Sequence, residues 1–140
     1  MSTGTPDRTG TDTGARVALD TSALMMPVEL DVRLFDELDR LLDDLEPTAP
    51  QAVVEELRRL AEKGGTEGTA ANVGHDLATE RCLIVDTEAS YADDALVELA
   101  REGNVDYVVT NDRPLRDRVL EASVPVIALR GRNKLAITQP

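Results

Sequence analysis

Two acids in this chain stand where short apolar runs stop. Asp20 follows Val17-Ala18-Leu19, and Asp112 follows Val108-Val109-Thr110-Asn111. Such runs, cut off by polar residues, read as buried strands. Open parallel α/β sheets bind their ligands beyond the carboxyl ends of the strands, so the two acids can converge there. Asp94 falls in the first turn of a predicted helix, and Glu56 lies deeper in another, from which it can reach back over the same edge. Carboxylates gathered in this way cannot all ionise without a counter-charge. Mg²⁺ or Mn²⁺ supplies one through oxygen ligands and retained waters. Such an ion can activate a water and stabilise the attacking and leaving oxygens of a phosphodiester. Each acid also has a plainer reading. Asp20, Asp112 and either Asp93 or Asp94 suit helix N-caps, and Glu56 suits a solvated face in a chain with 27 acidic residues.

The elements that must position these acids follow from the hydrophobic pattern. Residues 1–15 carry Thr, Gly, Asp, Ser and Pro without apolar periodicity and read as a flexible tail; 16–140 form one domain. A strand over Arg16–Leu19 precedes a helix over Asp31–Leu45, in which Val32, Phe35, Leu38, Leu41, Leu42 and Leu45 recur at helical spacing. Pro47 and Pro50 bracket a turn, and Pro50 opens a helix that runs to Gly64-Gly65. A weaker helix over Thr66–Arg81 has small residues (Ala70, Ala71, Gly74, Ala78) on one side. Strands at Cys82–Val85, Tyr107–Thr110 and Pro125–Leu129 alternate with helices at Asp93–Arg101 and Pro114–Glu121, and Leu135-Ala136-Ile137 falls in the tail. Alternation of this kind gives a three-layer α/β/α fold around a central parallel sheet of four to five strands.

Composition narrows the function. Hydrophobic residues make up 41% of the chain, enough for one core, but aromatics only 2% (Phe35, Tyr91 and Tyr107), which argues against base stacking as the main source of affinity. The net charge of −12 argues against a polyanionic ligand in dilute salt. In concentrated salt that field is screened, and the scarcity of lysine (Lys63 and Lys134 alone) fits a halophilic protein. Cations cluster locally: Arg113, Arg116, Arg118, Arg130, Arg132 and Lys134 face only Asp117 and Glu121 in the same stretch. Cys82 is the single cysteine, which excludes an intrachain disulfide and a cysteine-based zinc set, and beside Leu83 and Ile84 it reads as a buried structural thiol. No apolar stretch is long enough for a membrane span and the N-terminus lacks a signal-peptide core, so a cytoplasmic location without membrane contact is the expectation. His75, the single histidine, lies on the small-residue helix and reads as a packed or surface side chain.

Four segments carry a family resemblance. Leu19-Asp20-Thr21-Ser22-Ala23-Leu24 resembles the opening motif of PIN domains, a strand ending in an Asp-Thr-Ser-like triplet. Pro50-Gln51-Ala52-Val53-Val54-Glu55-Glu56-Leu57 resembles their second motif, Tyr91-Ala92-Asp93-Asp94-Ala95-Leu96-Val97 the third, and Val109-Thr110-Asn111-Asp112-Arg113-Pro114-Leu115 the fourth. The resemblance implies a PIN-like domain over 16–140 and a metal-dependent endoribonuclease acting on RNA, with Asp20, Glu56, Asp94 and Asp112 as catalytic, metal-binding acids. It makes Thr21, Ser22, Thr110 and Asn111 supporting polar residues. Glu55 and Asp93 stand one residue from two of the acids and are the alternatives to them. The C-terminal stretch with Arg130, Arg132 and Lys134 resembles archaeal PIN proteins related to small-subunit rRNA processing more than VapC-type toxins, and suits phosphate contacts that position RNA without reading sequence. The resemblance also implies a homodimer, and an antitoxin partner only for a toxin. A receiver domain would need a second acidic pair beside the first strand and a Lys after a late strand, where this chain has only Lys63 and Lys134, and a HAD-type phosphatase an Asp-x-Asp where this chain has Asp20-Thr21-Ser22. The rival that survives is a PIN fold that binds RNA or protein with weak or no cleavage.

Overall fold

A computed structural model describes residues 14–140. The expected tail lies outside the described residues except for Gly14 and Ala15, and Ala15 already opens the first strand. In chain order the elements are β1 (Ala15–Leu19), α1 (Thr21–Glu29), α2 (Leu34–Leu41), β2 (Leu45–Pro50), α3 (Gln51–Ala61), α4 (Gly65–Arg81), β3 (Leu83–Val85), α5 (Ala92–Arg101), β4 (Tyr107–Val109), α6 (Arg113–Glu121), β5 (Val126–Arg130) and β6 (Lys134–Thr138).

The strands form one sheet in the order β3-β2-β1-β4-β5-β6. Five are parallel, and β6 returns antiparallel to β5, pairing Leu135 with Leu129. From β1 the chain steps outward through β2 to β3, then crosses back to β4 on the other side of β1 and continues to β5. Helices α1, α3 and α4 pack on one another, as α5 does on α6. Right-handed crossovers in opposite directions put these two groups on opposite faces of the sheet. The order therefore reverses between β1 and β4, which opens a crevice at their carboxyl ends. Leu19, Val108, Val109 and Ile127 fill the centre of the sheet and are fully buried.

Three sequence expectations need correction. The helix expected over Asp31–Leu45 is shorter: Asp31 takes a left-handed φ of 55°, α2 begins at Leu34, and Leu42 is already extended. The turn expected between Pro47 and Pro50 is a strand. Pro47 pairs with Val17, while β3 begins alongside Thr48, so at Pro47 the strand has a partner on one side only, and Pro50 is its last residue. A proline is tolerated where no ladder bond is required of it. The C-terminal residues expected as a tail form β6. There Glu37 of α2 accepts the Leu135 N–H at 2.9 Å, and Arg40 donates to the Leu135 carbonyl at 2.8 Å. Helix α1 was not anticipated at all; its residues Ala23, Leu24, Met25 and Met26 are all buried.

Candidate active site

Asp20 and Asp112 each leave a strand and cap the next helix. One oxygen of Asp20 accepts the Ala23 N–H at 2.8 Å, and one of Asp112 accepts the Leu115 N–H at 3.0 Å. The N-cap reading of both residues thus holds together with a place in the site, because the cap leaves carboxylate lone pairs to spare. Asp20 is buried, and its other oxygen accepts a hydrogen bond from the Thr110 hydroxyl. That same hydroxyl accepts the Asp112 N–H at 3.0 Å, so Thr110 ties the ends of β1 and β4 together. Ser22 donates to Asp20 at 2.8 Å and accepts the Asn111 N–H at 3.2 Å. Asn111 in turn accepts the Leu129 N–H at 2.9 Å, which fixes the β4 end to β5. Thr21 donates to Glu56 at 2.6 Å. Thr21, Ser22, Thr110 and Asn111 all lie in this network, each orienting an acid or the backbone beside one.

Register turns the members of the two ambiguous pairs in different directions. Glu56 lines a cavity of about 280 Å³ with Asp20, Asp93 and Asp112. Glu55, one residue earlier, turns to Gln51 and Arg58, at 2.8 and 3.3 Å, on another side of α3. On α5 the residue that faces this cavity is Asp93. Asp94 points toward α6 and accepts from Arg118 at 3.0 Å. A step of one residue turns a helical side chain by roughly 100°, which is enough to separate the two roles. Asp94 lines an adjoining cavity of about 320 Å³, which shares Glu56 and Asp93 with the first.

The electrostatics describe a site short of positive charge. Burial raises the Asp20 carboxyl to about 6, against hydrogen bonds from Thr110, Ala23 and Ser22 that lower it. Asp93 is also raised, first by burial and then by the charges of Asp112 and Glu56, while Arg118 opposes the shift. Among the described residues no cation lines the first cavity, whose lining adds Glu29 and Glu67. Nothing local in so acidic a sequence sets those two apart from surface acids. Among the described residues no three His, Cys, Asp or Glu side chains are gathered as a ready ligand set for a metal ion. The donors nevertheless suit a small hard cation that keeps several waters and takes only one or two carboxylates directly.

The other candidates lie elsewhere. Arg130 and Arg132 are exposed at the β5–β6 turn, at the same end of the sheet as Asp20 but outside both cavities. Lys134 pairs with Glu37 at 3.7 Å. His75 lines neither cavity, and its Nε2 is buried with no hydrogen-bond partner among the described residues. Burial pushes the Cys82 thiol up to about 12, as a structural thiol requires. Sequence reasoning did not single out Tyr91 as a site residue and weighed Arg118 only as part of a basic stretch; both line the second cavity.

A mostly parallel sheet with acids at its switch point and small polar residues fixing them defines a class of α/β proteins with an acidic cleft. The family described as PIN like domain matches residues 17–132, and the chain belongs to it. Ribonuclease VapC4 of Methanocaldococcus jannaschii is 29% identical over 127 residues, 87% of this chain and 95% of its own length. The PIN domain endonuclease Utp24 superposes with a TM-score of 0.73 at 23% identity, over 89% of this chain and 92% of that one. VapBC2 from Rickettsia felis, solved with a DNA fragment from its promoter, gives 0.59 at 14% identity over 81% and 98%. These two structural likenesses bear on the fold alone.

Proposed function

We propose that this chain is a divalent-metal-dependent endoribonuclease that hydrolyses RNA phosphodiester bonds. The observation that carries the reading is the convergence of Asp20, Glu56, Asp93 and Asp112 on one cavity, lined by no cation among the described residues, at the switch point of the sheet. A ribonuclease relative that spans nearly the whole chain supports it. These four acids are the proposed holders of Mg²⁺ or Mn²⁺, with Asp93 in the place that sequence reasoning gave to Asp94. When bound, the cation supplies the missing counter-charge and polarises the phosphodiester toward attack by water. Thr110 and Ser22 keep the Asp20 oxygens directed into the cavity, and Thr21 holds Glu56 where it can orient a water. Arg130 and Arg132 are proposed to hold the RNA backbone further along the same sheet edge, in a cytoplasmic protein suited to high salt.

The test is cleavage of single-stranded and structured RNA with Mn²⁺, alongside calorimetric Mn²⁺ binding, for wild type, Asp20→Asn, Asp93→Asn and Asp94→Asn. Asp20→Asn and Asp93→Asn lose both activity and tight Mn²⁺ binding, whereas Asp94→Asn keeps its metal. Equal cleavage by wild type and Asp20→Asn would remove the catalytic reading. Bound but uncut RNA would leave a non-catalytic PIN module. Between processing of rRNA and a VapC-type toxin, the curated relative favours the toxin and the basic β5–β6 turn favours processing. A small antitoxin gene beside this one would decide for the toxin.

A further inference from the structure

The cavity beside the acids holds two groups that the cleavage chemistry leaves unused. Tyr91 is the N-cap residue of α5. Its carbonyl accepts the Ala95 N–H at 2.9 Å, so its backbone is fixed, yet the residue is 75% exposed. The chain has three aromatic rings, and the other two are engaged: Phe35 lies under Arg81, with the guanidinium 4.2 Å from the ring centroid, and Tyr107 is half-buried in β4. The one loosely held ring therefore sits on the wall that Glu56 and Asp93 share with the acidic cavity. An exposed aromatic alone is unremarkable. The same cavity is lined, however, by Arg118, the only cation among the described residues to line either cavity. Asp94 holds it through Nη2 at 3.0 Å. A guanidinium has five N–H donors in a fixed fork, so one contact with Asp94 orients the group without exhausting it.

We propose that Tyr91 and Arg118 form a subsite for the nucleotide next to the scissile phosphate of single-stranded RNA, the ring stacking on its base and the guanidinium gripping its phosphate. The inference rests on the ribonuclease reading and extends it. A ring reads any unpaired base by its face, which only single-stranded RNA can offer. A phosphate approaching a cleft lined by acids meets repulsion, and a cation placed at the rim is what offsets it. Asp94 is then a positioning residue, acting on RNA through Arg118.

The experiment is steady-state cleavage of a short single-stranded oligoribonucleotide with Mn²⁺ by wild type, Tyr91→Ala, Tyr91→Phe and Arg118→Ala. It is repeated with an abasic substitution walked along the strand. Tyr91→Ala raises KM about ten-fold with little change in kcat, and Tyr91→Phe restores it, since stacking needs only the ring. At one position the abasic strand raises the wild-type KM by the same factor and has no further effect on Tyr91→Ala. Arg118→Ala raises KM for every strand, and calorimetric Mn²⁺ binding is kept in all three variants. Unchanged KM in Tyr91→Ala and Arg118→Ala, or an abasic penalty that persists in Tyr91→Ala, overturns the subsite while leaving the nuclease intact. A wild type that cleaves no RNA overturns the ribonuclease reading, and the subsite falls with it.

Discussion

Asp20 caps α1 and lines the acidic cavity with one carboxylate, and the two tasks conflict energetically. Its carboxyl sits at about 6, above the ordinary value of 3.8, so folding disfavours its ionised form. The penalty is full above pH 6, shrinks as pH falls toward 3.8 and is gone below that. Asp20→Asn keeps an oxygen for the Ala23 N–H and removes the charge. In EDTA at pH 7.5 it is expected to be more stable than wild type, by on the order of 2 kcal/mol. Thermal melts across pH check this: the gap should close by about pH 4, and a wild type that melts higher throughout would refute it. At this scale the sequence was a good guide where a residue ends a strand. Asp20 and Asp112 follow apolar runs whose ends are sharp. It was a poor guide within helices, because Asp93 and Asp94 read alike until the azimuth of α5 is known. That azimuth depends on how Ala92, Ala95, Leu96 and Leu99 pack, which only the assembled fold supplies.

Helix α1, the element that Asp20 caps, is seated by α4. The small residues noted along α4 form the close contact: a Cβ built on Gly74 would come within 2.8 Å of the Leu24 carbonyl oxygen. The obstacle is backbone, so it cannot rotate away. Gly74→Ala is therefore expected to destabilise the fold by about 1–3 kcal/mol despite its better helix propensity. It should also lower nuclease activity by displacing Asp20; a melting temperature equal to wild type would show that α4 yields more easily than the geometry implies. Elements with one strong signal were legible: β1, β4, β5, α3, α5 and α6 all fall within a few residues of expectation. The failures had a common cause. The helical spacing of leucines in α2 runs on to Leu45, which faces inward from β2 instead, and Pro47 hides a strand because its tolerance depends on where β3 begins. Strand β6 was obscured in the same way: β5 is only a short turn away, but the cover on α2 is distant in sequence.

For the whole molecule, a net charge of −12 on 140 residues means that like charges oppose compaction. Salt screens that repulsion, with a Debye length of about 3 Å at 1 M. The melting temperature is expected to rise steadily with KCl well beyond 0.15 M, and RNA cleavage should persist there. A melting temperature independent of KCl would argue against a protein suited to high salt.

A sheet can lengthen sideways only by offering backbone groups to another chain. At Leu135 this sheet offers none on its β6 flank, since Glu37 and Arg40 stand where the backbone of a seventh strand would be. Among the described residues the opposite flank is β3, three residues long, with Leu83 47% exposed. Growth on the β6 edge is thereby obstructed at Leu135, and the short β3 edge is the more open of the two. The lock resists acid as well. Hydrogen bonds from Arg40 and Leu135, the first being the stronger influence, hold the Glu37 carboxyl down at about 2. Its stabilisation is complete above 4.5 and is lost only as pH falls toward 2. Glu37→Ala should consequently turn a protein that stays dispersed on mild heating into one that forms thioflavin-positive aggregate, and the wild type should do so only in strong acid.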